Sequence, residues 1–305
     1  MLKWIKRILL ALVSAVLLLV IGLWLTFYFW KQDLNEKLPY ESSIAETKNG
    51  PLEYVLQGNS DRYMLFIHGT PGSAYIADTK VFLENEYSVL AISRPGYFKT
   101  PLSSGESPKE QAELYKLLLD ELDIDSVYVN GISGGGPSSV QFANQYPERT
   151  AAVILRAALT ESIDTFKERN LPEKFFETEF GMWLGVNMMS LSADSVTKQK
   201  MKLYAEKGVF PMDQTNTGVQ NDHLHFGQLE NLQLETITKP VLIIHGTKDE
   251  NVPFVFADNA HRKIPNSQLL KLKDKGHFVF WTAEADRINK EIMDFITTNE
   301  YTQPN

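Results

Sequence analysis

Cysteine is absent from all 305 residues. Disulfides, thiol nucleophiles and thiolate-ligated metals are therefore excluded. Excess basic charge is missing too. Lys and Arg total 30 against 38 Asp and Glu, for a formal net charge of −8. A chain this acidic, with no basic stripe, is not expected to bind nucleic acid. No internal repeat or low-complexity tract interrupts it. Charge of either sign is missing from Ile8 to Trp30, a run of 23 residues.

As a helix that run would extend about 34 Å, enough to cross a hydrocarbon core of roughly 30 Å. It is too long for the apolar core of a secretory signal. It also ends in Phe27-Tyr28-Phe29-Trp30, an aromatic belt rather than a small-residue cleavage site. Residues 1–30 are expected to be a transmembrane anchor and 31–41 a polar linker. Lys3, Lys6 and Arg7 precede the span, whereas Lys31 and Lys37 follow it. The positive-inside bias favours a cytoplasmic N-terminus and an extracytoplasmic body. That body is more acidic still, so charge would not draw it to anionic lipid.

Beyond residue 42, short apolar runs alternate with helical patterns. Asn49-Gly50 signals a hairpin, and Tyr63–Ile67, Ser88–Ile92, the run from Val127 that ends at Gly131, Ala152–Leu155, Val241–Ile244 and Gln268–Leu272 read as strands. Helices are expected over 76–86, from Ser107 to about 122, over 138–146 and from about 283 to 297. Ser107-Pro108-Lys109-Glu110 opens the second as a capping box with proline at the first helical position. Apolar strands alternating with helices indicate a mostly parallel sheet covered on both faces. The rhythm breaks over 160–236, which reads as an inserted helical cap. The core is then 42–159 with 237–305.

Within this pattern, Gly131-Ile132-Ser133-Gly134-Gly135 follows a strand and precedes a helix. Strand, sharp turn and helix is the context of a nucleophile elbow, with the serine hydroxyl exposed on a strained turn. A serine needs a base, and the base an orienting acid. Among six histidines, His277 lies in a loop after the last strand. His68 suits a loop brace, His245 a structural place on a buried strand, and His261 a solvated helix. His223 and His225, two apart in the cap, would share a face only on a strand, and no third metal ligand is nominated. Asp249 follows the carboxyl end of a strand, where functional groups collect in open α/β sheets. Asp164 is the runner-up acid. The order Ser133, Asp249, His277 is that expected of α/β-hydrolases. The amide of Gly134 and that of Thr70, in His68-Gly69-Thr70-Pro71-Gly72, are the candidate oxyanion donors, since Pro71 has no N–H.

On these motifs, over about residues 50–298, the chain resembles the α/β-hydrolase superfamily, in the branch with an H-G-x-P-G loop, a G-x-S-x-G elbow and a helical cap. The resemblance implies Ser133 as nucleophile, His277 as base, Asp249 as its partner, and Thr70 and Gly134 as oxyanion donors, with no cofactor or metal. Serine at 133 disfavours relatives whose nucleophile is aspartate. Ser93 departs from the aspartate that many relatives carry before Arg-Pro-Gly. The expected function is a membrane-anchored serine hydrolase cleaving small-molecule carboxylic esters, with amides and lipophilic acyl groups left open. One alternative is an aminopeptidase resembling proline iminopeptidases, holding a substrate amine with one of Glu161, Glu168, Glu173, Glu177 or Glu179. Another is a non-catalytic receptor or scaffold on the same fold. Phe175, Phe176, Trp183, Leu184, Met188 and Met189 could line an acyl pocket or form the core of the cap.

Overall fold

In the computed structural model, which describes residues 2–38, 41–163, 171–191 and 193–299, the expected strands form one sheet. Ser43–Thr47 (β1) and Gly50–Gln57 (β2) make the hairpin, followed by Tyr63–Ile67 (β3). The apolar first helix, Leu2–Glu36 (α1), precedes them, and the short helix Lys80–Glu84 (α2) leads into Ser88–Ile92 (β4). Next come Pro108–Glu121 (α3), Val127–Ile132 (β5), Gly136–Gln145 (α4) and Thr150–Arg156 (β6). The interrupting segment holds Leu171–Phe176 (α5), Glu179–Ser190 (α6), Ser195–Tyr204 (α7) and Asn216–Gly227 (α8). The chain closes with Val241–Gly246 (β7), Phe254–Lys263 (α9), Ser267–Leu272 (β8) and Ala285–Thr298 (α10).

The strand order is β1-β2-β4-β3-β5-β6-β7-β8. The β1/β2 and β2/β4 pairs are antiparallel and all others parallel. Strand β5 therefore sits mid-sheet, and every residue of it is buried. Its side chains alternate between two apolar layers, as a strand with both faces covered must. Val127 and Val129 pack with Leu114 and Leu118 of α3 and Val140 and Phe142 of α4. Tyr128 and Ile132 face Phe82 of α2 and Ile288, Ile292 and Ile296 of α10. The capping box forms at Ser107, whose hydroxyl accepts the Glu110 amide while the Glu110 carboxylate accepts the Ser107 amide.

The elbow depends on close backbone approach. A Cβ on Gly135 would lie 2.6 Å from the carbonyl oxygens of both Ile67 and His68, where only backbone could give way. Ser133, two residues earlier, holds φ at +50°, the left-handed region. There a Cβ crowds the following carbonyl. The Leu159 amide donates to the Ser133 carbonyl at 3.0 Å, clamping the turn from the end of β6.

The contacts divide the chain into two compact units, Met1–Tyr40 with Arg169–Leu191 and Glu41–Glu168 with Ser192–Asn305. The boundaries differ from expectation in two ways. Helix α1 is long and apolar enough to cross a membrane, but it continues through Glu36 into the expected linker. A helix already nucleated adds residues easily when no proline intervenes, and the first is Pro39. The expected cap also splits. Residues 169–191 belong with α1, whereas α7 and α8 belong with the sheet. The Gly218 amide of α8 donates to Gly96 O at 2.9 Å, and the Phe98 amide to Gln214 O at 2.7 Å. Those bonds make the second half of the interruption part of the core unit.

Because Ser133 is left-handed, Ser133→Gly is expected to unfold at a higher temperature than Ser133→Ala. The gap corresponds to about 1 kcal/mol of relieved backbone strain. Parallel thermal melts of the two variants check this, and an equal or lower midpoint for the glycine variant contradicts it.

Candidate active site

Three loops at the carboxyl ends of β5, β7 and β8 bring Ser133, Asp249 and His277 together. His277 Nε2 lies 3.0 Å from Ser133 Oγ, and His277 Nδ1 lies 2.8 Å from Asp249 Oδ2. A carboxylate can only accept, so Nδ1 carries the proton and Nε2 is left to accept from the serine hydroxyl. Asp249 is itself fixed. Its Oδ1 accepts the amides of Asn251 and Val252, each at 2.9 Å. Burial alone would raise the Asp249 pKa. Hydrogen bonds from His245 and His277 and from the Val252 amide more than offset it, holding the carboxyl well below the usual carboxylate range.

His245 does more than end a buried strand. Its Nε2 donates to Val252 O at 2.8 Å and stands 3.3 Å from Asp249 Oδ2. The side chain so braces both the acid and the loop that carries it. His68 has the bracing place expected of it. Its Nε2 must accept the Arg94 amide at 2.9 Å, so Nδ1–H donates to Gly69 O at 2.7 Å. Burial and the Arg94 charge push its pKa well down, which keeps the ring neutral in that tautomer. Ser93 Oγ accepts the Ala74 amide at 3.1 Å, so serine supplies a loop brace in the position where many relatives carry aspartate.

The loop 68–72 runs beside Ser133. A Cβ on Gly69 would fall 3.0 Å from Ser133 Cβ and 3.5 Å from its Oγ. A Cβ on Gly134 would meet Thr70 Oγ1 and the Phe226 ring. Thr70 and Gly134 are thus neighbours, with Phe226 of α8 as an apolar wall above them. Phe226, with Leu159 and Val252, forms a small buried cluster. The cap residues singled out earlier belong to α5 and α6. Trp183 packs on Phe27 and Phe180, and Phe175, Phe176, Met188 and Met189 are exposed. Single-sequence patterning could not choose α8 over α5 and α6, because all three carry large apolar residues.

Asp222 is the residue that sequence reasoning missed. It sits on α8, 4% exposed at its side chain, and pairs with the equally buried Arg94. Arg94 Nη1 donates to Asp222 Oδ1 at 3.0 Å. Thr70 Oγ1 and Tyr97 Oη both donate to Asp222 Oδ2. The Asp222 carboxylate therefore anchors the loop that carries Thr70. A buried cation needs a buried counter-charge. Arg94 after β4 signalled that such an acid must exist, but not where in the chain. Of the other residues considered, Asp164 and Glu168 lie outside the described residues. His261 is exposed on α9 against Ser267. His223 and His225 lie on helix α8, so two-residue spacing turns them to opposite sides.

The α/β-hydrolase fold family model matches residues 63–284. The chain belongs to the α/β-hydrolase family. An uncharacterized hydrolase of Bacillus subtilis is 30% identical over 81% of this chain and 95% of its own length. A 2-hydroxy-6-oxononadienedioate/2-hydroxy-6-oxononatrienedioate hydrolase of Cupriavidus pinatubonensis is 24% identical over 84% of this chain and 95% of its own. Among solved structures, an α/β-hydrolase fold protein from Nakamurella multipartita superimposes with a TM-score of 0.71 at 25% identity, covering 84% of this chain and 98% of that one. An esterase from Thermogutta terrifontis gives 0.67 at 18% identity, over 86% and 100%. This α/β-hydrolase is accordingly an enzyme of the hydrolase class.

Two stability measurements probe the site. Because the folded Asp249 pKa is depressed, its contribution is present above the unfolded value of about 3.9 and is lost as pH falls through the folded value. The stability gap between wild type and Asp249→Asn should therefore be full at neutral pH and shrink as pH is lowered below about 4. Urea titrations at a series of pH values read that gap directly. Asp222→Asn should destabilise by about 3–5 kcal/mol, because it leaves Arg94 buried without its counter-charge. Adding Arg94→Met should recover part of that loss, and a double variant no better than the single would contradict the pairing.

Proposed function

We propose that this enzyme is a membrane-anchored serine hydrolase that cleaves carboxylic esters through an acyl-enzyme. The observation that carries the reading is the continuous chain of contacts from Asp249 through His277 to Ser133. His277 Nε2 takes the hydroxyl proton as Ser133 Oγ attacks the ester carbonyl. Charge that develops on the carbonyl oxygen is met by the amides of Gly134 and Thr70, the latter held by the Asp222 cluster. Collapse expels the alcohol, protonated by His277. The same base then activates water to release the acid and free Ser133. Asp249, ionised well below neutral pH, stabilises the imidazolium formed in each half-reaction. No cofactor or metal enters these steps.

Helix α1 supports the anchoring, with 23 uncharged residues and an aromatic end. Three cations before the span favour a cytoplasmic N-terminus and a catalytic body outside.

The relatives named for 2-hydroxy-6-oxononadienedioate act on a dicarboxylate, and the Asp222 pairing weighs against that substrate here. Arg94, the buried guanidinium beside Thr70, is already neutralised. The aminopeptidase alternative loses candidates in the same way. Glu161 pairs with Lys263 at 3.4 Å, and Glu179 with Lys31.

A fluorophosphonate probe tests the nucleophile on detergent-solubilised protein at neutral pH. Wild type should label and Ser133→Ala should not. Ester turnover in the variant should fall on the order of 10⁶-fold, as when a triad nucleophile is removed. Folded wild type that neither labels nor hydrolyses short-chain nitrophenyl esters would overturn the reading and favour a non-catalytic scaffold.

A further inference from the structure

The α5–α6 hairpin presents an apolar surface that no part of its own unit covers. From Phe180 to Ala193 the sequence has no charged residue. An uncharged stretch of this length suits either a buried core helix or a segment lying at a membrane interface. Burial decides between them. Only Gly181 and Trp183 of α6 are buried, whereas Met188 is 56%, Met189 51% and Leu191 78% exposed. On α5, Phe175 and Phe176 are exposed as well.

What α6 does touch is the end of α1. Glu179 pairs with Lys31, the first charged residue after the apolar run. Phe180 and Trp183 pack on Phe27, with ring centroids 5.5 and 5.6 Å apart, and Trp183 also meets Trp30. From Lys31 back to Phe27, α1 steps into its apolar run, and from Glu179 to Trp183, α6 steps with it. The charges of the hairpin, Glu173, Lys174, Glu177 and Glu179, all precede Phe180. The two helices thus change from charged to apolar in the same direction and at the same level. Met189 is six residues past Trp183, about 9 Å further along α6. That distance fits the roughly 5–10 Å to which interfacial helices sink into the headgroup–acyl boundary.

We infer that α6 is a second membrane contact. Its carboxyl-terminal half, with Met188, Met189 and Leu191, is embedded in the headgroup–acyl boundary of the bilayer that α1 crosses. The inference rests on the reading of α1 as a membrane span. The occupant is lipid, because the patch is continuous with an apolar helix whose own side chains from Ile8 to Phe29 are largely exposed. The contact would give an acidic body an apolar hold on the membrane that charge does not supply.

The absence of cysteine makes the test direct, since each introduced thiol is unique. Full-length Met189→Cys and Leu191→Cys, labelled with an environment-sensitive fluorophore, are reconstituted in phosphatidylcholine–phosphatidylglycerol vesicles. Leu17→Cys marks mid-span and Glu235→Cys an exposed site of the other unit. Labels at 189 and 191 should be blue-shifted, quenched by nitroxide-bearing lipid, and several-fold less quenched by aqueous iodide than the label at 235. If 17 is lipid-quenched while 189 and 191 behave like 235, or are shielded from both quenchers, the interfacial contact is wrong and the anchor stands. If 17 also reports water, the anchor itself fails and the inference falls with it.

Discussion

The left-handed backbone of Ser133 is the constraint on which the rest of the core unit depends. A strand that runs mid-sheet must end there, reverse sharply and start a helix without burying the side chain it displays. Doing so forces α4 close to β3, and Gly135 is the point of contact with the Ile67 and His68 carbonyls. The loop that leaves β3 at those carbonyls carries Thr70. One tight turn therefore sets the Ser133 side chain, the approach of the helix and the place of the neighbouring loop together. Parallel pairing of β5 to β8 then delivers Asp249 and His277 to the same edge.

Around this turn the polar side chains are held by roles that leave little choice. Each histidine at the site has its tautomer fixed by a partner that can only donate or only accept. His68 is bound by the Arg94 amide, His245 by the Val252 carbonyl and His277 by the Asp249 carboxylate. Arg94 and Asp222 neutralise each other within the same wall. A buried pair of this kind is weak evidence for net stability. Its geometric effect is firmer, since Thr70, Tyr97 and Arg94 converge on one carboxylate from α8. Preorganised donors are useful in catalysis because they need not reorient as charge develops.

The segment between β6 and β7 serves two different neighbours. Helices α7 and α8 fold with the sheet, while α5 and α6 fold with the long apolar helix. Sequence could mark where the alternation of strand and helix stopped, because that is a local pattern. It could not divide the interruption, because apolar side chains on α6 and α8 look alike until their partners are known. Phe226 reaches the site, whereas Trp183 packs on Phe27.

By itself the sequence determined the elements and the chemistry they could carry. Strand and helix follow from periodicity, the elbow from glycine spacing around Ser133, and the apolar span from the lack of charge. The order Ser133, Asp249, His277 was legible because each lies just after a strand, where parallel strands must gather their loops. Only the tertiary structure decided which distant residues meet. Asp222, His245 and Phe226 carry no local signal of their roles, because pairing across 128 residues between Arg94 and Asp222 leaves no periodic trace. Such contacts depend on burial and charge balance, which exist only once the chain has closed around them.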